Sequence, residues 1–285
     1  MIYIDVACES SKEIDVACES SKEIDVACES NNDIVLDCES VEHSNNSCES
    51  QLRAGIAEVE SYFHLIDELF STYKSDSEVS RLRRGELDIS AAHPLVQECW
   101  NNLLILRDET DGYFDPWAGK AGFDPSGYVK GWVSDHAVDI VKKHGATSIQ
   151  INAAGDISLA GGYPEEGKDA AWKIGIRDPE DAQKIVKIFE IKDGAIATSG
   201  SYERGAHIYD PKTGMIAIGA QSSTVYGPDG GICEALATAL MVAGRDGAYL
   251  LSKELFSAYG AWVIDRHSDI AWSVAGNKAN TLSIN

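Results

Sequence analysis

Glu234 and Thr238 stand four residues apart in a segment, Ile232 to Val242, whose apolar pattern predicts a helix. That spacing puts a carboxylate and a hydroxyl on one helix face, where both can reach a single hard cation. The plainer reading is a polar stripe on a helix that packs Leu236, Leu240 and Val242 inward. Other polar clusters recur along the chain: Ser71-Thr72-Tyr73 with Asp76-Ser77-Glu78, Asp111-Gly112-Tyr113-Phe114-Asp115-Pro116, and Asp124-Pro125-Ser126-Gly127-Tyr128-Val129-Lys130-Gly131. Further on come Asn152-Ala153-Ala154-Gly155-Asp156, Thr198-Ser199-Gly200-Ser201-Tyr202-Glu203, and His207-Ile208-Tyr209-Asp210-Pro211-Lys212-Thr213-Gly214.

Each cluster has a local explanation. Asp210 to Gly214 makes a good turn between strands, because proline presets the backbone angle and glycine relieves the exit. Asp76-Ser77 ahead of Glu78 and Val79 reads as a helix amino cap. Asp111-Gly112 and Asp115-Pro116 break a preceding helix, and His207 in an alternating run is more often a strand histidine than a catalyst. Only the ordered combination argues for chemistry.

From Gln51 onward that ordered combination resembles the bacterial FAD:protein FMN transferases, the ApbE family. The resemblance implies an α+β fold of mixed, largely antiparallel sheets with packed helices. It also implies an enzyme that binds FAD as substrate, uses Mg2+ at the pyrophosphate, and joins FMN to a threonine of an acceptor protein, releasing AMP. The acceptor it implies is a redox membrane or surface protein with a short threonine-containing motif. Carried over residue by residue, it assigns catalysis to His207 and Lys130. FAD contacts fall to Tyr73, Asp115, Lys130, Asn152, Gly155, Asp156, Thr198, Ser199, Gly200, His207 and Asp210. Metal contacts fall to Glu234, Thr238 and the backbone carbonyl near Gly127, three residues before Lys130. Such an enzyme needs backbone amides near the phosphates, which Lys130-Gly131 and the Gly155 turn can supply, and a hard cation for the leaving charge.

Two positions depart from the family pattern: Glu234 stands where an aspartate is usual, and Ala154 where a second glycine is usual before Asp156. Two rivals stay open on the same site: an FAD pyrophosphatase, with water as acceptor, that yields FMN and AMP, and a catalytically weak flavin-binding protein, which these departures motivate. A G-x-S-x-G elbow and a P-loop are both missing from the sequence, so neither a serine hydrolase nor a nucleotide kinase is indicated.

The elements that must position these residues follow from periodicity. Leu52, Ile56, Val59, Phe63, Ile66 and Phe70 predict a helix from Gln51, and Val96, Cys99, Trp100, Leu103 and Leu104 a second. Val133, Ala137, Ile140 and Val141 predict a third, closed by Lys142, Lys143, His144 and Gly145. Ser148 to Gly161 reads as a hairpin, Trp172 to Arg177, Ile185 to Ile191 and Ala206 to Tyr209 as strands, Gly247 to Phe256 as a helix, and Ala261 to Ser273 as a hairpin. No regular strand-helix-strand unit recurs, which favours α+β.

Composition bounds the rest. A chain of 285 residues with 44% hydrophobic and 25% charged content fits a globular protein, and a net charge of -22 argues against nucleic acid as a partner. Residues 1–50 are set apart from the domain at 51–285. They repeat Ile-Asp-Val-Ala-Cys-Glu-Ser, and thirteen acids against two lysines give them -11, half of the whole charge. They read as disordered or as supplying an edge strand, or as a cation-binding or interaction tail in their own right. Cys8, Cys18, Cys28, Cys38 and Cys48 follow the repeat and match no zinc signature, and disulfides are not expected. No secretory signal opens the chain as written, so a cytoplasmic address is expected; an incomplete amino terminus would make it extracytoplasmic.

Overall fold

The computed structural model describes residues 2–7, 13–18, 46–165, 168–200, 208–266 and 270–279. Five α-helices fall within them: α1 (Asn46–Phe70), α2 (Glu78–Arg83), α3 (Pro94–Glu109), α4 (Val129–Lys143) and α5 (Gly230–Ala243). Leu52, Ile56, Val59, Phe63, Ile66 and Phe70 are all buried along α1. Ser77 caps α2, its Oγ accepting the Ser80 N–H at 3.1 Å, as the Asp76-Ser77 pattern predicts. Pro94 sits in the first turn of α3, where no intrahelical donor is lost. His144 and Gly145 close α4, with Gly145 at φ 88°.

The strands are β1 (Ile2–Ala7), β2 (Glu13–Cys18), β3 (Ser148–Ala153), β4 (Asp156–Ala160), β5 (Tyr163–Glu165), β6 (Lys168–Ala170), β7 (Trp172–Arg177), β8 (Ile185–Ile191), β9 (Gly194–Gly200), β10 (Ala220–Gly227), β11 (Gly260–Asp265) and β12 (Ala271–Ala275). Eight of them form one antiparallel sheet in the order β12-β11-β10-β9-β4-β3-β1-β2. The fold is thus α+β and antiparallel. One face of the sheet, through Ile149, Ile151, Ala195, Ala197, Val225 and Val263, shares a core with the helices. The other face, through Leu159, Ile196 and Tyr226, is covered by the β7-β8 ribbon, which contributes Trp172, Ile174, Ile176, Phe189 and Ile191.

Several elements differ from expectation. The amino-terminal repeat supplies edge strands, one of the readings open above, but in two copies rather than one: β1 pairs with β3 (Ile4 opposite Ile151) and β2 lies outside β1. Helix α1 starts at Asn46, inside the segment set apart, and Cys48 in its first turn is disulfide-bonded, contrary to expectation. The stretch expected to be a helix over Gly247 to Phe256 is instead two 3-10 runs, Gly244–Ser252 and Glu254–Phe256. Gly244, at φ 56°, ends α5, and Lys253 is extended between the two runs, so no continuous α-helix can pass through. Of the expected strand at Ala206 to Tyr209, Tyr209 makes a lone bridge to Ile216; Ala206 and His207 lie outside the described residues.

Candidate active site

Helix α4, strand β4 and helix α5 each deliver one charged side chain to a common point. Lys130 Nζ lies 2.7 Å from Asp156 Oδ2 and also pairs with Glu234 Oε1, whose second oxygen accepts the Gly131 N–H at 3.1 Å. The side chains of Asp156 and Glu234 are 7% and 4% exposed, while Lys130 keeps 26%. The cluster is therefore sunk in protein. Gly131 makes this possible, because a Cβ there would overlap the Gly230 carbonyl.

Burial pushes the Glu234 carboxyl well above the usual carboxylate range, against the pull of the Lys130 ammonium. Lys130 is itself desolvated, yet Asp156 and then Glu234 hold its ammonium above the ordinary lysine range.

Hydroxyls extend the cluster on both sides of the sheet. Thr198 N–H donates to Asp156 Oδ1 at 3.4 Å, and the Thr198 hydroxyl meets that of Thr224 at 2.9 Å. Ser199 Oγ meets Thr238 Oγ1 at 3.2 Å. A Cβ built on Gly127 would stand 3.7 Å from Thr238 Oγ1, so the turn before α4 abuts the lower end of the polar face of α5. The β3-β4 turn sits just ahead of Asp156, where Asn152 Oδ1 accepts the Gly155 N–H at 2.8 Å and both Ala154 (φ 56°) and Gly155 (φ 97°) are left-handed.

The structure thus brings together Lys130, Asp156, Thr198, Ser199, Glu234, Thr238 and Gly127, with Asn152 and Gly155 in the adjoining turn. Gly200 ends β9 opposite Ser222. Among the described residues no hydrogen bond or ion pair ties Tyr73, Asp115 or Asp210 to this cluster. Tyr73 is 72% exposed after α1. Asp115 turns onto the Trp117 N–H at 2.8 Å, and Asp210 accepts the Lys212 N–H at 2.8 Å and the Thr213 hydroxyl at 2.9 Å, as a turn aspartate does. That turn nevertheless meets the Asp111 to Pro116 cluster, since Lys212 Nζ lies 3.4 Å from the Tyr113 ring centre. His207 lies outside the described residues.

Asp135 is a site-supporting residue that the sequence reading missed. Its Oδ1 accepts the Ser158 hydroxyl at 2.6 Å and its Oδ2 the Gly230 N–H at 2.7 Å. Burial, and then the Asp229 carboxylate, raise its carboxyl to about 7. The available signal was a lone acid among Trp132, Val133, Ala137 and Val138, all buried on α4.

As to cation donors, no group of three or more His, Cys, Asp or Glu side chains converges among the described residues. The oxygens at hand are the Glu234 carboxylate, the Thr238 hydroxyl and the backbone beside Gly127. This hard, mixed donor set suits magnesium, which keeps further positions for water or phosphate. Glu234 would have to share itself between that ion and Lys130.

Residues 118–259 match the family model described as the ApbE family, and they contain Gly127, Lys130, Asp156, Glu234 and Thr238. The chain thus carries an ApbE family domain. It is 32% identical over 146 residues to an FAD:protein FMN transferase of Treponema pallidum, covering 46% of this chain and 40% of that protein. To one of Vibrio cholerae it is 35% identical over 133 residues, covering 43% and 39%. The matched stretch thus spans about two fifths of the length of these curated relatives. Among solved structures, the apo form of the Pseudomonas stutzeri flavinyl transferase ApbE superposes with a TM-score of 0.65 at 23% identity, covering 79% of this chain and 86% of that one. The flavin transferase ApbE from Vibrio cholerae gives 0.64 at 22% identity, covering 83% and 90%. These superpositions establish the shared fold.

Proposed function

We propose that this protein is a transferase that moves FMN from FAD onto a threonine hydroxyl of a partner protein and releases AMP. The observation that carries this reading is the buried Lys130, Asp156 and Glu234 cluster at the meeting of α4, β4 and α5, inside the region matched by the family. Relatives named FAD:protein FMN transferase support it.

In the reaction, the threonine oxygen forms a bond to the FMN-side phosphorus of FAD while the bond from that phosphorus to the AMP-side oxygen breaks. The hydroxyl proton leaves to a base, and the bonding pair departs with AMP. Lys130 is pinned by two carboxylates, and so would offer a fixed positive charge to the pyrophosphate with little reorganisation. Asp156 holds that ammonium and also the Thr198 N–H, which ties β9 and its hydroxyls to the same point. The left-handed turn at Ala154 and Gly155 presents backbone towards a phosphate or flavin edge without large side chains.

Glu234, Thr238 and the Gly127 carbonyl would hold magnesium, which when bound supplies charge neutralisation for the leaving phosphate. His207 is assigned to orient the incoming hydroxyl or accept its proton, and Tyr73, Asp115, Asn152, Gly200 and Asp210 to contact FAD. The acceptor is a redox membrane or surface protein with a threonine-containing motif.

Mixing the protein with FAD, magnesium and a candidate acceptor tests the proposal. Flavin fluorescence should stay with the acceptor through denaturing electrophoresis. Free FMN and AMP with an unlabelled acceptor would instead make the protein a pyrophosphatase.

A further inference from the structure

We propose that the Asp135 carboxyl is a positioning residue that sets the geometry of the Lys130, Asp156 and Glu234 cluster, an inference that rests on the function proposed above. One carboxyl group touches all three elements that build the site. Asp135 lies five residues after Lys130 on α4. Its partner Ser158 lies two residues after Asp156, and so on the same face of β4. Its other partner, the Gly230 N–H, lies four residues before Glu234, one turn away on α5. Each bond is made about one structural repeat from the point where that element supplies its charge.

The bond to Gly230 also answers a need of the helix, because the first amides of α5 have no intrahelical acceptor. Where α4 meets α5, Gly131 and Gly230 lie backbone to backbone and have no side chains of their own to fix their separation, although the Tyr128 ring lies against the neighbouring Gly231. Yet that separation decides whether the Gly131 N–H reaches Glu234 Oε2, now at 3.1 Å. Asp135 spans the gap with one oxygen, and it reaches β4 with the other.

The bridge needs two hydrogen-bonding atoms in fixed places and does not need charge. Asparagine meets that need, with Oδ1 accepting from Gly230 and Nδ2 donating to Ser158 Oγ. Valine removes both bonds and keeps bulk.

The test uses the full chain and its D135V, D135N and S158A variants. Measured are the kcat and KM for AMP release with FAD, magnesium and acceptor, and amide hydrogen exchange at Gly131 and Gly230, with circular dichroism as a check of folding. Misplacing reacting groups by about an ångström costs on the order of a hundredfold in rate, so D135V should lose about that much in kcat while KM for FAD moves by less than about threefold. Exchange at Gly131 should speed by roughly tenfold or more as the α4-α5 contact opens. D135N should return both readouts to within about threefold of the parent, a rescue that a loss of charge would not show.

If D135V does not fold, S158A decides, since it removes one bond of the two. A partial fall in kcat with faster Gly131 exchange supports the bridge, and parental values overturn it. The proposal is also overturned if D135V keeps parental kcat and exchange, or if D135N is as impaired as D135V. Should the parent release no AMP, the transferase reading fails, and the bridge is then judged on Gly131 exchange alone.

Discussion

Replacing Lys130 with methionine removes the only cation that touches either Asp156 or Glu234 among the described residues, and leaves two nearly buried carboxylates facing one another. Breaking a buried ion pair from one side costs about 3–5 kcal/mol, because the partner's desolvation is no longer offset. At roughly 1.4 kcal/mol per tenfold, that is a hundredfold to several-thousandfold loss in the folding equilibrium constant. The loss should depend on pH in a definite direction. The Glu234 carboxyl is already raised by burial, so in the parent its contribution to stability is greatest below the ordinary carboxylate range and falls as pH rises through the folded value. Without the lysine that folded value rises further, and K130M should approach the parent near pH 5 and fall furthest behind near pH 8.

The double variant K130M/E234Q keeps an acceptor for the Gly131 N–H but drops one charge, and should regain a large part of the loss. Urea denaturation followed by tryptophan fluorescence at both pH values measures all three proteins. A K130M penalty below about 1 kcal/mol, or a double variant no more stable than the single, would refute the idea that the lysine holds two buried anions together.

Ala154→Gly should raise stability by about 0.5–1 kcal/mol, since a left-handed alanine costs roughly 1–2 kcal/mol and glycine's extra unfolded-state freedom returns part of it; thermal unfolding measures the shift. Asp135, raised from 3.8 to about 7, should make stability fall as pH climbs from about 4 to about 7, by at most roughly 4 kcal/mol, and a denaturation series in Asp135→Asn should lose that slope. Glu234→Asp shortens the arm held by Lys130 and should change the magnesium needed for half-maximal AMP release, whereas identical titrations for parent and variant would remove Glu234 from the metal site. Removing residues 1–45 strips β1 from β3 and should lower the unfolding midpoint through an exposed sheet edge while FAD affinity stays within about threefold; a folded truncation that cannot bind FAD would overturn this.

The long helices were legible because Leu52, Ile56, Val59, Phe63 and Ile66 repeat at helical spacing and all face the core. The hairpins at Ser148 and Ala261 alternated clearly enough to be placed. Strands β9 and β10 were not, and the reason is physical. Gly194–Gly200 and Ala220–Gly227 are built from Gly, Ala, Ser and Thr with few large side chains, since they lie between α5 on one face and the β7-β8 ribbon on the other. Sandwiched strands of small residues show no polar-apolar alternation to read. The amino-terminal repeats looked too poor in apolar surface to join a core, yet edge addition needs mainly backbone pairing, which composition does not report.

The candidate site divides along the same line. Lys130, Asp156, Thr198, Ser199, Glu234 and Thr238 lie together, although nothing local in the sequence links positions more than a hundred residues apart such as Lys130 and Glu234. Tyr73, Asp115 and Asp210 are held by local turns or exposed, with no tie to that convergence among the described residues. Asp135 escaped notice because its role depends on a strand serine and a helix amide that only the tertiary fold brings to it.

The most direct test of the account counts two products in one reaction. With FAD, magnesium and an acceptor that carries a threonine motif, AMP released and flavin bound covalently to the acceptor should accumulate one for one, and both should fall together in Lys130→Met provided it remains folded. AMP accumulating without flavin on the acceptor, or labelling that proceeds at the parental rate in Lys130→Met, would contradict the account.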